Sequence, residues 1–250
     1  MVDGWLHRIQ AIVLPPSCIL CGDRGQQPLL DLCFGCAADL PANAGACARC
    51  AAPLPVEPAG CLECGRCMTR PPAFDRAVVP HLYGYPLDRI IQMFKYHGAL
   101  AFGRVLGTLL ARHLQAGANA RRAPQALIPV PLHPARHRER GFNQALELAR
   151  PVSEMLDIRI DDGLCRRVRD TRDQTELDAR ERRKNIRRAF ALTRDPVVEH
   201  VALIDDVLTT GSTTAELART LKRAGVKTVE VWAVARAVDG TGRPIQRQVN

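Results

Sequence analysis

Between residues 74 and 238 the apolar positions follow, in turn, the two-residue period of strands and the period of about 3.6 residues of helices. Helical spacing predicts helices over 86–96, over about 100–115 and from about 141, where Pro151 should kink or break the helix. Apolar runs predict strands in these segments: 74–85, 126–132, 164–192, 201–204 and 226–235. The segment 164–192 would be a strand with a long arm. Strands alternating with helices predict an α/β fold on a parallel sheet, with binding sites at the carboxyl ends of the strands.

Before residue 73 the pattern is dominated by cysteine, with nine of the ten cysteines between residues 18 and 67. They form CxxC pairs and one closing triplet: Cys18-x2-Cys21, Cys33-x2-Cys36, Cys47-x2-Cys50, then Cys61, Cys64 and Cys67. Two thiolates in one tight turn can face the same ion, and two such turns complete a tetrahedron. The pattern therefore predicts two four-cysteine zinc sites of a structural kind, because an all-cysteine site leaves no open position for a substrate.

Other interpretations of the cysteines are weaker. A disulfide scaffold requires an oxidising compartment, whereas residues 1–16 lack the basic region and cleavage site of an export signal and are interpreted as an amphipathic helix. A redox motif would need one CxxC pair rather than four. The last pair can be either Cys61 with Cys64 or Cys64 with Cys67, and the pairs can join sequentially or crosswise. The isolated Cys165 is interpreted as a packing residue.

The net charge of +9 is unevenly distributed, with −1 in residues 1–72 and +10 in residues 73–250. The basic part favours an anionic partner, either nucleic acid or a phosphorylated small molecule, although a solvated arginine-rich surface would have the same composition. No apolar run reaches the length of about 18 residues that a membrane helix needs, so we expect a cytoplasmic protein without a membrane span. We predict an N-terminal helix and zinc-binding region over 1–72, an α/β domain over 73–238 and a flexible tail over 239–250.

The sequence VALIDDVLTTGSTTAE, residues 201–216, carries the most specific chemistry. A buried strand would end at Asp205 and Asp206, and a turn of small and hydroxyl residues would lead into a helix near Thr214. Exposed amides at a helix N-terminus, with several hydroxyls and a glycine, can bind phosphate. The two carboxylates repel phosphate but can accept hydrogen bonds from sugar hydroxyls, directly or through a divalent ion. A simple helix cap explains one Asp and one Thr, whereas the full stretch indicates a sugar phosphate with vicinal hydroxyls.

This stretch resembles the phosphoribosyl-pyrophosphate (PRPP) motif of type I phosphoribosyltransferases. The resemblance implies that fold: a parallel sheet flanked by helices, preceded here by a small cysteine-rich domain. It also implies that Asp205 and Asp206 hold the ribose hydroxyls and that the loop binds the 5-phosphate. The loop residues carried over by position are Thr209, Thr210, Gly211, Ser212 and Thr213.

Further segments resemble the ComF family, which includes competence proteins and GntX-like proteins. IPVPLHPARHRERGFNQA, residues 128–145, resembles the ComF signature, with Pro131, Leu132 and His133 at the pyrophosphate-loop position and Arg140, Asn143 and Gln144 near the next helix start. FKYHG, residues 94–98, adds Lys95 and His97 as candidate anion contacts, although surface positions would be the simpler interpretation of these two alone. Members of this family carry an N-terminal double zinc ribbon, and their last pair is similar to Cys64 and Cys67, which leaves Cys61 extra.

Residues 169–190 resemble the hood that closes over the substrate in these enzymes, although part of this segment could be a solvated basic helix. The hood residues that fit the family pattern are Arg172, Gln174, Thr175, Arg180, Arg183, Lys184 and Asn185. The resemblance implies PRPP binding with Mg²⁺ and transfer of phosphoribosyl to an unidentified acceptor, with Asp205, Asp206, Arg172 and Lys184 in catalytic roles. It also implies a link to DNA uptake in natural competence. The alternatives are a non-catalytic accessory factor that binds single-stranded DNA or the DNA-uptake machinery and, ranked last, a transcriptional sensor.

Overall fold

A computed structural model describes the chain in six segments: 16–26, 30–54, 62–97, 99–117, 122–169 and 188–238, with only the backbone at 96 and 97. The predicted amino-terminal helix, Cys61, most of the hood and the C-terminal tail lie outside these residues. Within the described part, no helix combines the length and apolar character needed to cross a membrane.

The cysteine-rich region consists of tight turns and two short helices. Helix α1 (Phe34–Ala38) begins after Cys33, whose Sγ accepts a hydrogen bond from the backbone N–H of Cys36. Helix α2 (Gly65–Thr69) begins after Cys64. Single β-bridges close turns in this region, for example Ser17 to Arg24 before α1 and Ala46 to Pro53 between the two helices. Thiolates are therefore presented by turns and helix starts, as the CxxC spacing predicts.

The rest of the chain alternates strands and helices, and the predicted order is confirmed. The elements are β1 (Arg76–Val78), β2 (His81–Leu82), α3 (Leu87–His97), α4 (Leu100–Ala116), β3 (Ala126–Pro129), α5 (Pro134–Arg140), α6 (Gln144–Leu156), β4 (Cys165–Arg167), β5 (Phe190–Leu192), β6 (His200–Leu208), α7 (Ser212–Arg223) and β7 (Thr228–Arg236). The predicted fold class is confirmed in its architecture: a parallel sheet flanked by helices, behind a small cysteine-rich region.

The described sheet has the order β1–β7–β6–β3, with β2 also pairing with β7, and all of these pairings are parallel. Strand β3 pairs with β6 as far as Ile204, whereas β7 accompanies β6 to its end at Leu208. The sequence predicts a strand that stops at Ile204. The longer pairing with β7 explains the difference, because it keeps Asp205 and Asp206 extended beyond the end of β3.

Helix α6 continues through Pro151, where the sequence predicts a kink or a break. The physical reason is packing against α4. A side chain at Gly107 of α4 would come within 2.8 Å of the Leu148 carbonyl oxygen and within 2.9 Å of the Pro151 ring. The bare glycine backbone lets the two helices approach closely at this turn, and the close packing offsets the hydrogen bond that proline cannot donate.

Two apolar clusters cover the two faces of the sheet, and the cysteine-rich region contributes to both. Cys18, Leu30 and Leu32 join the cluster that contains α3 and α4. Cys47, Cys50 and Cys67 join the opposite cluster, which includes Phe74, Leu208 and the inner residues of α7. Residues on both sides of position 72 therefore share their cores. The predicted packing role of Cys165 agrees with its burial in this second cluster, and that burial raises the pKa of its thiol to about 12.

Candidate functional site

The acid pair lies at the carboxyl end of the sheet, where β6 runs past β3. Asp206 is buried and Asp205 is half-buried. An Asp205 Oδ1 accepts a hydrogen bond from the Asp206 backbone N–H (3.0 Å), and an Asp206 Oδ1 accepts one from Val207 N–H (2.7 Å). These bonds fix the two carboxylates against their own strand. The ammonium of Lys95, in the last turns of α3, lies 2.8 Å from Asp206 Oδ2.

Burial and neighbouring charges together shift the pKa values of Asp205 and Lys95. Burial, followed by the charge of Asp206, raises the pKa of Asp205 to about 7, although Lys95 opposes the rise. Burial alone would lower the pKa of Lys95, but the Asp206 and Asp205 carboxylates outweigh it, and the net pKa lies above the ordinary lysine value. A cation that approached Asp205 would therefore take the place of a proton near neutral pH.

The turn after β6 has the geometry of an anion-binding helix start. Gly211 adopts φ 71° and ψ 15° at the N-cap of α7, the left-handed region that favours glycine. The Thr210 and Ser212 hydroxyl oxygens lie 2.8 Å apart, and Ser212 N–H donates to Thr210 Oγ1 (3.3 Å). The helix begins at Ser212, two residues earlier than predicted, so the hydroxyl residues themselves form its first turn.

The first helical bond of α7 runs from Ala215 N–H to the Gly211 carbonyl (2.9 Å). The amides of Thr213 and Thr214 therefore have no carbonyl partner within the helix. The Thr214 hydroxyl is turned inward and donates to the Gly211 carbonyl (3.2 Å). The positive end of a helix of this length, 12 residues, faces the turn and favours an anion there.

The turn predicted at the pyrophosphate-loop position follows β3 directly. Val130 N–H donates to the Ile204 carbonyl (3.0 Å), so the turn leaves the sheet beside the acid pair. Pro131 is buried, and Leu132 and His133 are half-buried. His133 Nδ1 accepts from Ala135 N–H (3.3 Å) and caps α5. This turn and the acid pair thus share the same edge of the sheet.

The signature residues after α5 act on the start of α6. Asn143 is its N-cap: Oδ1 accepts from Ala145 N–H (3.1 Å) while Nδ2 donates to the Val130 carbonyl (3.3 Å). Gln144 is buried, and its amide nitrogen has no hydrogen-bond partner in the described part of the chain. Arg140 is half-buried at the end of α5. Asn143 therefore holds the predicted pyrophosphate turn against α6.

The base of the hood is described, but its predicted contact residues are not. Strands β4 and β5 form an antiparallel pair, as expected for the two legs of an arm. The following predicted residues lie outside the described residues: Arg172, Gln174, Thr175, Arg180, Arg183, Lys184 and Asn185. The side chain of His97 also lies outside them. At the returning leg, Arg188 N–H donates to Glu216 Oε1 of α7 (2.8 Å), which joins the base of the predicted hood to α7.

Two residues at this site escape sequence reasoning. Glu216 is buried, and besides Arg188 it accepts from Arg219 Nε (3.0 Å). Arg236 is buried at the end of β7 and donates from Nη1 to the carbonyls of Leu208 (2.6 Å), Thr209 and Ala237 (3.2 Å). The available signal was weak: one charge at the end of the apolar run VEVWAVAR, and one acid on the inner face of a helix.

The cysteines form two groups whose geometry fits zinc. The four thiols of each group lie within 4.8 Å of one another: Cys18, Cys21, Cys33 and Cys36 in the first, and Cys47, Cys50, Cys64 and Cys67 in the second. Sulfurs on a tetrahedral zinc, with Zn–S bonds of about 2.3 Å, are about 3.8 Å apart. Cys21 and Cys33 Sγ are 3.7 Å apart, and so are Cys50 and Cys64 Sγ. The pairs join sequentially, and the second group uses Cys64 and Cys67, whereas Cys61 lies outside the described residues.

The thiols of each cluster also perturb one another in the way expected when several anions share one small volume. The hydrogen bond from Cys50 lowers the pKa of Cys47 to about 4, while the same contact strongly raises the pKa of Cys50. In the first cluster the pKa of Cys18 falls to about 6: burial opposes the fall, and backbone N–H groups such as that of Cys33 outweigh it. A bound dication would remove this competition by stabilising all four thiolates.

Comparison with known families agrees with these two centres. The family model of the double zinc ribbon domain matches residues 9–68. Among solved structures, a glutamine PRPP amidotransferase from B. subtilis, complexed with ADP and GMP, superposes with a TM-score of 0.34. It shows 21% sequence identity and covers 52% of this chain and 25% of that chain.

Curated relatives cover most of the chain. Competence protein F of Haemophilus influenzae is 37% identical over 178 residues, which are 69% of this chain and 78% of the relative. DNA utilization protein YhgH of Escherichia coli K12 is 36% identical over 70% of this chain and 78% of its own length. Competence protein ComFC of Streptococcus pneumoniae is 24% identical over 62% of this chain and 65% of its own length. The chain, with its double zinc ribbon and parallel α/β sheet, belongs to the competence protein F family.

Proposed function

We propose that the chain binds PRPP with Mg²⁺ at the carboxyl end of β6 and transfers its phosphoribosyl group to an acceptor. The proposal is supported mainly by one short segment that carries both a pair of carboxylates and a site that favours an anion. Two carboxylates lie on the strand, and an anion-binding helix start follows at Gly211, five residues after Asp206. A ligand that bridges them needs hydroxyls at one end and a phosphate at the other.

In this proposal the acid pair orients the ribose. Asp206 forms an ion pair with Lys95 at 2.8 Å, and its carboxylate would accept a hydrogen bond from a ribose hydroxyl. Asp205, with its pKa near 7, exchanges its proton for a cation or a hydroxyl donor when the ligand arrives. The phosphate lies on the amides and hydroxyls of the turn from Thr209 to Thr213.

The donor set also fits Mg²⁺, which prefers carboxylate, phosphate and water oxygens. Asp205 and Asp206 present adjacent carboxylates at this edge of the sheet, where burial, followed by the charge of Asp206, raises the pKa of Asp205 and a bound cation would oppose that rise. Asp205 and Asp206 would hold Mg²⁺, and the bound ion would supply positive charge opposite the pyrophosphate. The chain's own contributions are to orient the ribose and, through the basic residues Arg172 and Lys184 of the hood, to stabilise the charge that develops on pyrophosphate. His133 and Lys95 lie on the elements that would face this leaving group.

The direct test is a calorimetric titration of the zinc-loaded chain with PRPP and Mg²⁺. The double variant Asp205→Asn with Asp206→Asn should weaken binding at least about tenfold, as expected for lost charged hydrogen bonds. Glu199→Gln is the matched control, because this exposed carboxylate pairs with Lys227 next to the start of β6. Unchanged affinity in the double variant would contradict the ribose assignment. A screen of acceptors scored by pyrophosphate release would identify the second substrate.

A role in DNA uptake or DNA utilization is proposed from the names of the relatives, competence protein F and DNA utilization protein YhgH.

The second candidate function, a single-stranded-DNA-binding accessory factor, is supported by the charge of +10 in residues 73–250. Aromatic residues make up only 4% of the chain, so binding would rest on phosphates rather than on base stacking. Affinity for oligonucleotides of unrelated sequence should be equal and should fall steeply with salt. A salt-independent affinity would argue against this mechanism.

A further inference from the structure

A small cavity connects the second cysteine cluster to the turn at 209–213, called the phosphate turn below because of its proposed ligand. Its lining includes Cys50 and Cys67 of the cluster, Thr210 and Gly211 of the turn, and Arg236. The same two cysteines share an apolar cluster with Leu208 and Phe74, the side chains beneath the turn. The second cluster and the turn are therefore parts of one packed unit.

Arg236 is the polar element of this unit. Arg236 is buried, with 2% of its surface exposed. Its Nη1 donates to the carbonyls of Leu208, Thr209 and Ala237. Two of these carbonyls belong to the residues that enter the phosphate turn. The Nε atom has no hydrogen-bond partner within the described residues. A buried guanidinium is costly unless negative charge lies nearby.

A zinc ion with four thiolates carries net negative charge, and the second cluster would supply it at the wall of the same cavity. We propose that the second cysteine cluster, acting through Arg236, holds the phosphate turn in its binding conformation, so that metal in this cluster sets the affinity for the phosphorylated ligand. Arg236 is thus a positioning residue, because its contacts reach the backbone of the turn rather than the ligand. The inference rests on the proposed function for its ligand, but its structural part concerns the free protein.

The first cluster provides a natural comparison. Cys18, Cys33 and Cys36 of this cluster pack on the other face of the sheet, with α3 and α4, and none of its four cysteines lines the cavity beneath the turn. Loss of metal there should disturb α3 and α4 without loosening residues 209–213. The two clusters are alike in chemistry and differ in what they contact, so paired variants separate a local effect from a global one.

The experiment compares the zinc-loaded chain with four variants: Arg236→Met, Arg236→Lys, Cys64→Ser and Cys21→Ser. Three quantities are measured for each: zinc content, hydrogen exchange of the amides at 209–215 without ligand, and the Kd of PRPP with Mg²⁺. Arg236→Met should keep both zinc ions, yet exchange faster at the turn and bind about tenfold more weakly, as for the loss of one or two hydrogen bonds. Arg236→Lys keeps the positive charge and a donor nitrogen, without the planar fork of the guanidinium, and should restore part of the loss.

Cys64→Ser should lose one zinc and reproduce the faster exchange and weaker binding, whereas Cys21→Ser should lose one zinc and show neither. Equal effects of these two variants, or unchanged exchange in both Arg236→Met and Cys64→Ser, would overturn the inference. If Arg236→Met does not fold, Arg236→Lys and the cysteine pair still decide it. A wild-type chain that fails to bind PRPP would refute the proposed function, while the exchange measurements would still judge the positioning role.

Discussion

The raised pKa of Asp205 predicts how ligand affinity changes with pH. Asp205 has a pKa of about 7, so at about pH 6 only about one molecule in eleven carries the ionised form that the ligand requires. When the competent form is a minor fraction, the apparent Kd rises in inverse proportion to that fraction. PRPP binding with Mg²⁺ should therefore weaken about tenfold between about pH 8 and about pH 6.

Removing Lys95 should move this midpoint. The ammonium lowers the pKa of Asp205, against burial and against the charge of Asp206, so Lys95→Met should raise that pKa further. A shift of about one pH unit is typical when one close opposite charge is lost. The pH at which affinity reaches half its maximum should then move from near 7 towards 8. Lys227→Met removes a lysine from an exposed pair with Glu199 and should leave the midpoint unchanged.

The assay is calorimetric titration over this pH range, with carboxyl NMR of Asp205 in the free protein as a direct measure. The phosphate of the ligand also titrates near pH 6, and Asp205→Asn controls for this because only the ligand's own dependence should remain. Stability gives an independent check. Since the folded pKa exceeds the ordinary value of 3.8, Asp205 favours the fold below about pH 4 and loses that contribution as the pH rises through about 7. An Asp205 that titrates near its ordinary value, or a midpoint that Lys95→Met leaves in place, would refute the reasoning.

Three further predictions concern the turn, the hood and the metal. Gly211→Ala should lower the free energy of unfolding by about 1 kcal/mol through backbone strain at positive φ. An added Cβ would not clash, because it would lie 3.6 Å from Phe74, an ordinary contact distance. Gly163→Ala, where φ is not positive, should cost less in the same chemical denaturation assay. Glu216→Ala should cost about 2 kcal/mol, because the Arg188 amide loses its hydrogen bond to the buried Glu216 carboxylate, and Glu216→Gln, which keeps an oxygen there, should recover part of it. Elemental analysis should find zinc near two per chain, and a chelator should lower the thermal midpoint; a metal-free chain with an unchanged midpoint would exclude a structural role.

Local patterns predict much of this molecule because the relevant physics is local. The CxxC spacing fixes which thiols can share a turn, and the period of apolar positions gives the order of strands and helices. The acid pair and the turn up to Thr213 follow from one contiguous segment. Each of these features depends on residues that are close in sequence.

What the sequence does not reveal depends on contacts between distant segments. Strand β6 extends past Ile204 because β7 continues to pair with it, and α6 survives Pro151 because Gly107 of another helix lets it pack closely. The proposed role of Arg236 depends on the second cysteine cluster and the turn at 209–213 lining one cavity with the end of β7. Lys95 is predicted from a motif as an anion contact, whereas in the structure its ammonium neutralises Asp206.

The position of the ribbon at the sheet edge has a consequence for fragments of this protein. Ala42 bridges to His81 of β2, Leu82 N–H donates to the Pro41 carbonyl (2.8 Å), and Asn43 Nδ2 donates to the Val79 carbonyl (3.0 Å). The ribbon thus covers an otherwise open strand edge and fills apolar surface on both faces of the sheet. A fragment starting at residue 73 would expose all three surfaces at once, and exposed edges and apolar patches promote self-association. Such a fragment should therefore aggregate rather than yield a smaller working pocket.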